Sequence, residues 1–157
     1  ENSFSLKNSD LITENNSIYF SNNKNEFFAL DKRTGLIKWK QNINSNLRPT
    51  FTDGILFAVT IEGYLSVIDA RNGNIVRMTN VFNIMKNYKK KNVKPVGFIV
   101  TKDKIYLSLN NGKLIVVDIA TGKSIDILKI DGERISRPYI LNNDMYIIKE
   151  NAILKLN

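Results

Sequence analysis

Phe28-Ala29-Leu30-Asp31-Lys32-Arg33-Thr34-Gly35 occurs three times in variant form. The second copy is Ser66-Val67-Ile68-Asp69-Ala70-Arg71-Asn72-Gly73, and the third is Val116-Val117-Asp118-Ile119-Ala120-Thr121-Gly122. Each is an apolar run, an Asp, and a Gly four residues later. The Asp residues stand 38 and then 49 positions apart. A period near forty with strand-like content marks a repeat architecture.

Working outward, each copy is preceded by a second apolar run: Ile18-Tyr19-Phe20, Leu56-Phe57-Ala58 and Ile105-Tyr106-Leu107. Before that comes a basic residue and a proline: Arg48-Pro49, Lys94-Pro95, Arg137-Pro138. After it comes an outer segment such as Leu36-Ile37-Lys38-Trp39. Turn residues separate the runs. Asn16, Asp53-Gly54, Lys102-Asp103 and Asn142-Asn143-Asp144 mark the first junction; Asn22 to Asn25, Glu62-Gly63 and Asn110-Asn111-Gly112 mark the second. Such residues between β-branched and aromatic runs signal hairpins.

Four antiparallel strands in about forty residues make a β-propeller blade. The Asp-x-x-x-Gly turn joins the third strand to the fourth. Its Asp accepts from the turn's own N–H groups, and its Gly takes positive φ. Third strands such as Leu114-Ile115-Val116-Val117 are apolar on both faces, as suits a strand covered on both sides. Each proline falls near the start of a first strand, where a missing N–H does least harm.

Ala29-Leu30-Asp31-x-x-Thr34-Gly35-x-x-x-Trp39 resembles the PQQ-type, quinoprotein-like propeller repeat. The resemblance spans nearly the whole chain. Only the first copy is complete, since Arg77 and Asp126 stand at the Trp position of the other two. Asp31, Gly35, Trp39, Asp69, Gly73, Asp118 and Gly122 are therefore expected to be structural, with Trp39 packing in the groove between blades and its indole N–H on a backbone acceptor. Within the family, the BamB-type lipoproteins of outer-membrane β-barrel assembly are the nearest in kind. That resemblance implies a non-enzymatic, protein-binding scaffold in the bacterial periplasm, associated with the outer membrane. It implies no cofactor, and a protein partner among the outer-membrane assembly components. Membrane association would come only through an anchor that is not in this chain.

The repeats divide the chain into blades at about 10–43, 48–82, 94–130 and 137–157 of one partial propeller. Met145-Tyr146-Ile147-Ile148 and Ala152 to Leu156 match the middle strands of the third unit, so the fourth blade is expected to lack its outer strand. Phe4-Ser5-Leu6 falls where an outer strand would finish. Either it closes a small four-bladed ring, or the chain is the C-terminal half of a larger propeller.

Composition narrows the chemistry. The 157 residues include no Cys and no His, and the net charge is +8. Zinc and haem sites of the usual kinds, Ser-His-Asp triads and thiol nucleophiles are excluded. PQQ-dependent dehydrogenases of the wider family need a calcium site, a catalytic carboxylate and often a vicinal disulfide. Here no Cys pair exists, and the carboxylates that stand out serve turns, so a dehydrogenase fragment remains the alternative rather than the main reading. A ligand-binding propeller is a further alternative. Nucleic acid is disfavoured, since no recognised binding signature is present.

Two features go beyond scaffold. The third unit arrives eleven residues late because of an insert, Asn80 to Asn92, which mixes Phe82, Ile84, Met85 and Tyr88 with Lys86, Lys89, Lys90 and Lys91. Such a loop either carries function or packs its apolar side and leaves its lysines solvated. The second feature is the set Arg48, Lys94 and Arg137, each expected at the start of an innermost strand on the same face as the insert. These basic residues either cap their own blades or make an anion-friendly surface. The expected partner surface joins them to Phe82, Tyr88, Lys89, Lys90 and Lys91.

Overall fold

Turn chemistry sets the element boundaries. The computed structural model describes residues 5–85 and 92–156. Among them run four antiparallel sheets. The first holds β1 (Ile12–Glu14), β2 (Ser17–Asn22), β3 (Glu26–Asp31) and β4 (Ile37–Gln41). The second holds β5 (Thr50–Thr52), β6 (Ile55–Val59), β7 (Tyr64–Asp69) and β8 (Ile75–Asn80). The third holds β9 (Pro95–Val100), β10 (Lys104–Leu109), β11 (Lys113–Asp118) and β12 (Ser124–Lys129). The fourth has three strands, β13 (Tyr139–Leu141), β14 (Asp144–Lys149) and β15 (Ala152–Leu156). The fold is all-β, and each sheet is a meander of the kind that builds a propeller blade.

The first-junction hairpins show why Asn and Asp stand where they do. Asn15 and Asn16, Asp53 and Gly54, and Asn142 and Asn143 all have positive φ, the conformation of a two-residue type I′ turn. The third sheet does otherwise: at Lys102-Asp103 the Thr101 hydroxyl donates to the Lys104 carbonyl at 2.8 Å and accepts from its N–H at 3.1 Å.

The chain forms two compact units, residues 1–78 and 79–157. In the first, Tyr19, Phe27, Ala29, Trp39 and Ile43 pack with Leu56, Ala58, Ile68 and Ala70, so one face of the first sheet closes on the second. Burying each large apolar side chain there contributes about 1.5–3 kcal/mol. β7 and β11 are buried on both faces along their centres, as their apolar runs require. β3 is not. Phe27 and Ala29 are buried, while Phe28 and Leu30 are half-buried, and Phe28 stacks on Phe20 at 5.2 Å with the Lys40 ammonium 5.4 Å from its ring.

In the second unit Leu114, Ile135 and Ile147 form one core cluster, flanked by Tyr106, Ile130, Met145 and Leu156. The link between the third and fourth sheets is held by its own backbone. The N–H groups of Ile130 and Asp131 both donate to the Gly112 carbonyl, and Lys149 pairs with Asp131. β15 has the apolar make-up of a third strand but pairs on one side only, and Ile153 is 71% exposed.

Ser5 and Leu6 form no strand, contrary to their expected place in an outer strand. Residues 5–9 run beside the end of β2: the Ser9 N–H donates to Ser21 O at 2.8 Å, and Asn8 bridges Asn22. They prolong the inner-strand line of the first sheet, because β2 is long enough to offer backbone partners beyond β1. Phe4 lies outside the described residues.

Candidate functional site

Three Asp turns recur with nearly one geometry. The N–H groups of Gly35, Gly73 and Gly122 each donate to their Asp carbonyl at 2.8 Å. The Asp31 carboxylate accepts from the N–H groups of Arg33 and Thr34 and from the Thr34 hydroxyl. Asp118 accepts from the Thr121 N–H and hydroxyl. Asp69 lacks a Thr and uses Arg71 instead, whose Nη2 lies 2.8 Å from Oδ2. Hydrogen bonding to the charged form lowers a carboxyl pKa. The Thr34 N–H is the main cause for Asp31, and the Arg71 guanidinium for Asp69. These carboxylates are occupied by their own turns. Among the described residues, no group of three or more Asp, Glu, His or Cys could hold a metal ion.

Trp39 sits where β4 meets the second sheet's Asp turn. Its indole N–H donates to the Ala70 carbonyl at 2.9 Å, and its ring stacks on Phe27 at 5.7 Å and 13°. A Cβ on Gly73 would lie 2.6 Å from Trp39 Cδ2, closer than such contacts allow. Gly73 thus answers two demands, a positive φ of 77° and a tryptophan lying against its α-carbon. Gly35 meets only the first, with nothing within 4 Å of its would-be Cβ.

The basic residues do not share one register. Thr50 pairs with Phe57 and Tyr139 with Tyr146, so Arg48 and Arg137 each stand two residues before the partner of the second strand's aromatic. In the third sheet Tyr106 pairs with Ile99, which puts Gly97 at that position. Lys94 is three residues upstream. β9 is longer than β5 and β13 and shifts register at Ser108/Leu109, so its proline begins the strand earlier. Aligning the sheets on their prolines therefore misplaces Lys94.

The residue equivalent to Lys94 is Lys7, which the repeat reading missed. Lys7 N–H donates to Asn23 Oδ1 at 2.9 Å, Asn23 N–H donates to Lys7 O at 3.0 Å, and Asn23 Nδ2 donates to Ser5 O at 3.1 Å. Lys94, Asn110 and Asn92 repeat those three bonds at 2.8, 3.0 and 3.0 Å. The signal was present in sequence: Lys7 and Lys94 are 87 residues apart, as are Asp31 and Asp118.

Arg48 and Lys94 are exposed; Arg137 is half-buried, with its guanidinium 4.8 Å from the Tyr139 ring centre. A Cβ on Gly97 would lie 2.4 Å from Arg137 Cβ. Arg137 therefore lies against the position where the neighbouring sheet has no side chain.

Phe82 is not an exposed anchor. Val81–Ile84 form a short 3-10 turn capped by the Asn80 side chain, and Val81, Phe82 and Met85 are buried. Val81 O accepts from the Ser124 hydroxyl at 2.7 Å. Ser124 opens β12 beside the Asp118 turn, whereas Asn92 and Lys94 lie at the opposite, second-junction end of that sheet. The insert's two described ends thus lie at opposite ends of the third sheet, and only the later one lies on the side of Lys94. Twist accumulates across four strands, so the ends of an outer strand no longer stack over those of an inner one. Tyr88, Lys89, Lys90 and Lys91 lie outside the described residues. Charge is unevenly divided: residues 1–78 hold nine Lys and Arg against eight Asp and Glu, and residues 79–157 hold fourteen against seven.

The repeated Asp turn, the docked tryptophan and the four-stranded sheets agree with a match, over residues 14–153, to the family of outer membrane protein assembly factor BamB. The chain belongs to that family. No curated protein matches it in sequence. BamB from Moraxella catarrhalis superposes with a TM-score of 0.72 at 11% identity, over 94% of this chain and 41% of that one. The computationally designed Ika4 protein gives 0.70 at 12% identity, over 93% of this chain and 88% of that one. A quinohemoprotein alcohol dehydrogenase from Pseudomonas putida HK5 gives 0.61 at 18% identity, over 74% and 19%. At these identities the likenesses show the fold alone. The chain spans less than half of the Moraxella BamB.

Proposed function

We propose that this chain is part of a non-enzymatic scaffold that binds a protein component of outer-membrane β-barrel assembly. Its place would be the periplasm, at the outer membrane, and the four sheets would belong to one partial propeller. The match over residues 14–153 carries the reading. These 157 residues also include no Cys, whereas PQQ-dependent dehydrogenases of the wider family often carry a vicinal disulfide.

The partner surface we propose is the basic one of residues 79–157: Lys94, Arg137 and the insert lysines Lys89, Lys90 and Lys91, with Tyr88 as an apolar contact. Charge of this kind acts mainly on encounter rate, by drawing an acidic partner surface toward the site. The test is surface plasmon resonance of the full chain against the periplasmic domains of the barrel-assembly subunit. Replacing Lys89, Lys90 and Lys91 by Glu should slow association about tenfold at low salt, leave dissociation nearly unchanged, and lose its effect at high salt. A triple variant that binds like the parent at low salt would move the surface elsewhere. No binding by the parent itself would overturn the scaffold reading.

A further inference from the structure

Between the first two sheets, at the Asp-turn end, lies a groove of about 240 Å³ that opens to solvent. None of the residues discussed as a partner surface lines it. Its floor is Tyr19 and Phe51, whose rings stack at 6.2 Å and 17°, and its walls are Gly54, Ala70, Lys38 and Arg71. We propose that this groove is a peptide-binding site, taking one large apolar side chain whose neighbouring residue carries a carboxylate.

The size argues for a side chain. Small-molecule and cofactor sites run from about 300 to 1,000 Å³, and this groove is smaller. Two aromatic rings beside an exposed arginine suit a residue that enters ring-first and leaves its backbone outside.

The carboxylate follows from how Arg71 is held. Its Nε and Nη2 donate side-on to Asp69 at 3.2 and 2.8 Å, which fixes the guanidinium plane. A guanidinium has five N–H donors. Two are used, and the outer edge, formed by Nη1 and the second Nη2 hydrogen, remains on a side chain 85% exposed. That edge fits a second carboxylate in two parallel bonds. Lys38 is engaged by its own sheet. It is the extra residue of a bulge, since Ala29 pairs with Trp39 and Leu30 with Ile37. The bulge turns its ammonium back onto Asn16 O at 3.0 Å and Ser17 Oγ at 2.9 Å. Its ammonium also lies 3.7 Å from Asp31 Oδ2, so Lys38 is held and paired within its own sheet, and Arg71 is the donor. A neutral apolar segment would fill the floor and leave the arginine edge unused.

The groove also has its own reporter. Ala70 lines it, and the Ala70 carbonyl accepts the indole N–H of Trp39, the one tryptophan of the chain. The experiment is a ¹H–¹⁵N NMR titration of the full chain with the blocked peptide Ac-Gly-Phe-Glu-Gly-NH₂, beside analogues with Gln for Glu and Ala for Phe. Saturable shifts are expected at the amides of Gly54, Ala70 and Arg71 and at the Trp39 indole N–H, with roughly millimolar affinity for so short a probe. The Glu peptide should bind about fivefold tighter than the Gln peptide, the size of an exposed ion pair. Arg71→Gln should abolish that difference while the free variant keeps the Trp39 indole resonance in place. Phe51→Ala should weaken both peptides alike. Equal affinity for the Glu and Gln peptides, or no saturable shift at those amides, would overturn the proposal. Shifts confined to Lys94 and Arg137 would also overturn it, since they would mean capture by general basic charge.

Discussion

Replacing Gly73 with Ala places a methyl carbon 2.6 Å from Trp39 Cδ2 and asks a residue with a Cβ to hold φ at 77°. The second demand costs about 1–2 kcal/mol by itself. The first, an overpacking against a ring already stacked on Phe27, costs about 1–3 kcal/mol more. Gly35 supplies the control. Its φ is 72° and its would-be Cβ meets nothing, so Gly35→Ala should cost only the backbone part, about 1–2 kcal/mol. Trp39→Ala should cost about 3–5 kcal/mol, from a ring 9% exposed that also satisfies the Ala70 carbonyl. In the Trp39→Ala background the clash at Gly73 is gone, so Gly73→Ala should there cost no more than Gly35→Ala. The double mutant should thus be more stable than additivity allows by about 1–3 kcal/mol. Urea denaturation followed by far-UV circular dichroism measures each corner of the cycle without relying on the tryptophan. Additivity within about 0.5 kcal/mol, or a Gly35→Ala cost equal to that of Gly73→Ala, would refute the claim that the ring is what requires glycine.

Gly97→Ala should destabilise the chain by about 1–3 kcal/mol through its contact with Arg137, and adding Arg137→Gly should recover most of the loss; thermal unfolding of the three variants checks this. The pH dependence follows from the Asp turns and from Asp131, whose carboxyl is held low chiefly by Lys149 and then by the Glu133 N–H. Carboxyls depressed in the fold contribute stability that is full above their unfolded value near ~4 and is lost as pH falls through the folded values. Unfolding free energy should therefore be level from about pH 5 to 7 and fall below about pH 4. Asp31→Asn should shallow that acid limb; an unchanged acid limb would assign it to other groups.

Local chemistry wrote the sheets into the sequence. The Asp-x-x-x-Gly turns, the Asn-Asn and Asp-Gly hairpins and the apolar runs act within a few residues of chain, so their spacing fixed four meanders and the three-stranded form of the last. The partner for Trp39 was legible as a type, a backbone carbonyl, because a buried indole N–H needs one. Which carbonyl, and that Gly73 must have no side chain, depended on how one sheet lies on the next. Lys94 shows the limit most clearly. Its proline invites alignment with Arg48 and Arg137, yet a longer strand and one register shift put Gly97 in their place and make Lys7 its counterpart. Phe82 shows it again, since an amphipathic insert reads the same whether its ring faces a partner or is buried in the chain's own fold. Turns are decided by adjacent residues. Registers and burial are decided by which strands meet, and a single extra residue in one strand reassigns every opposing pair beyond it.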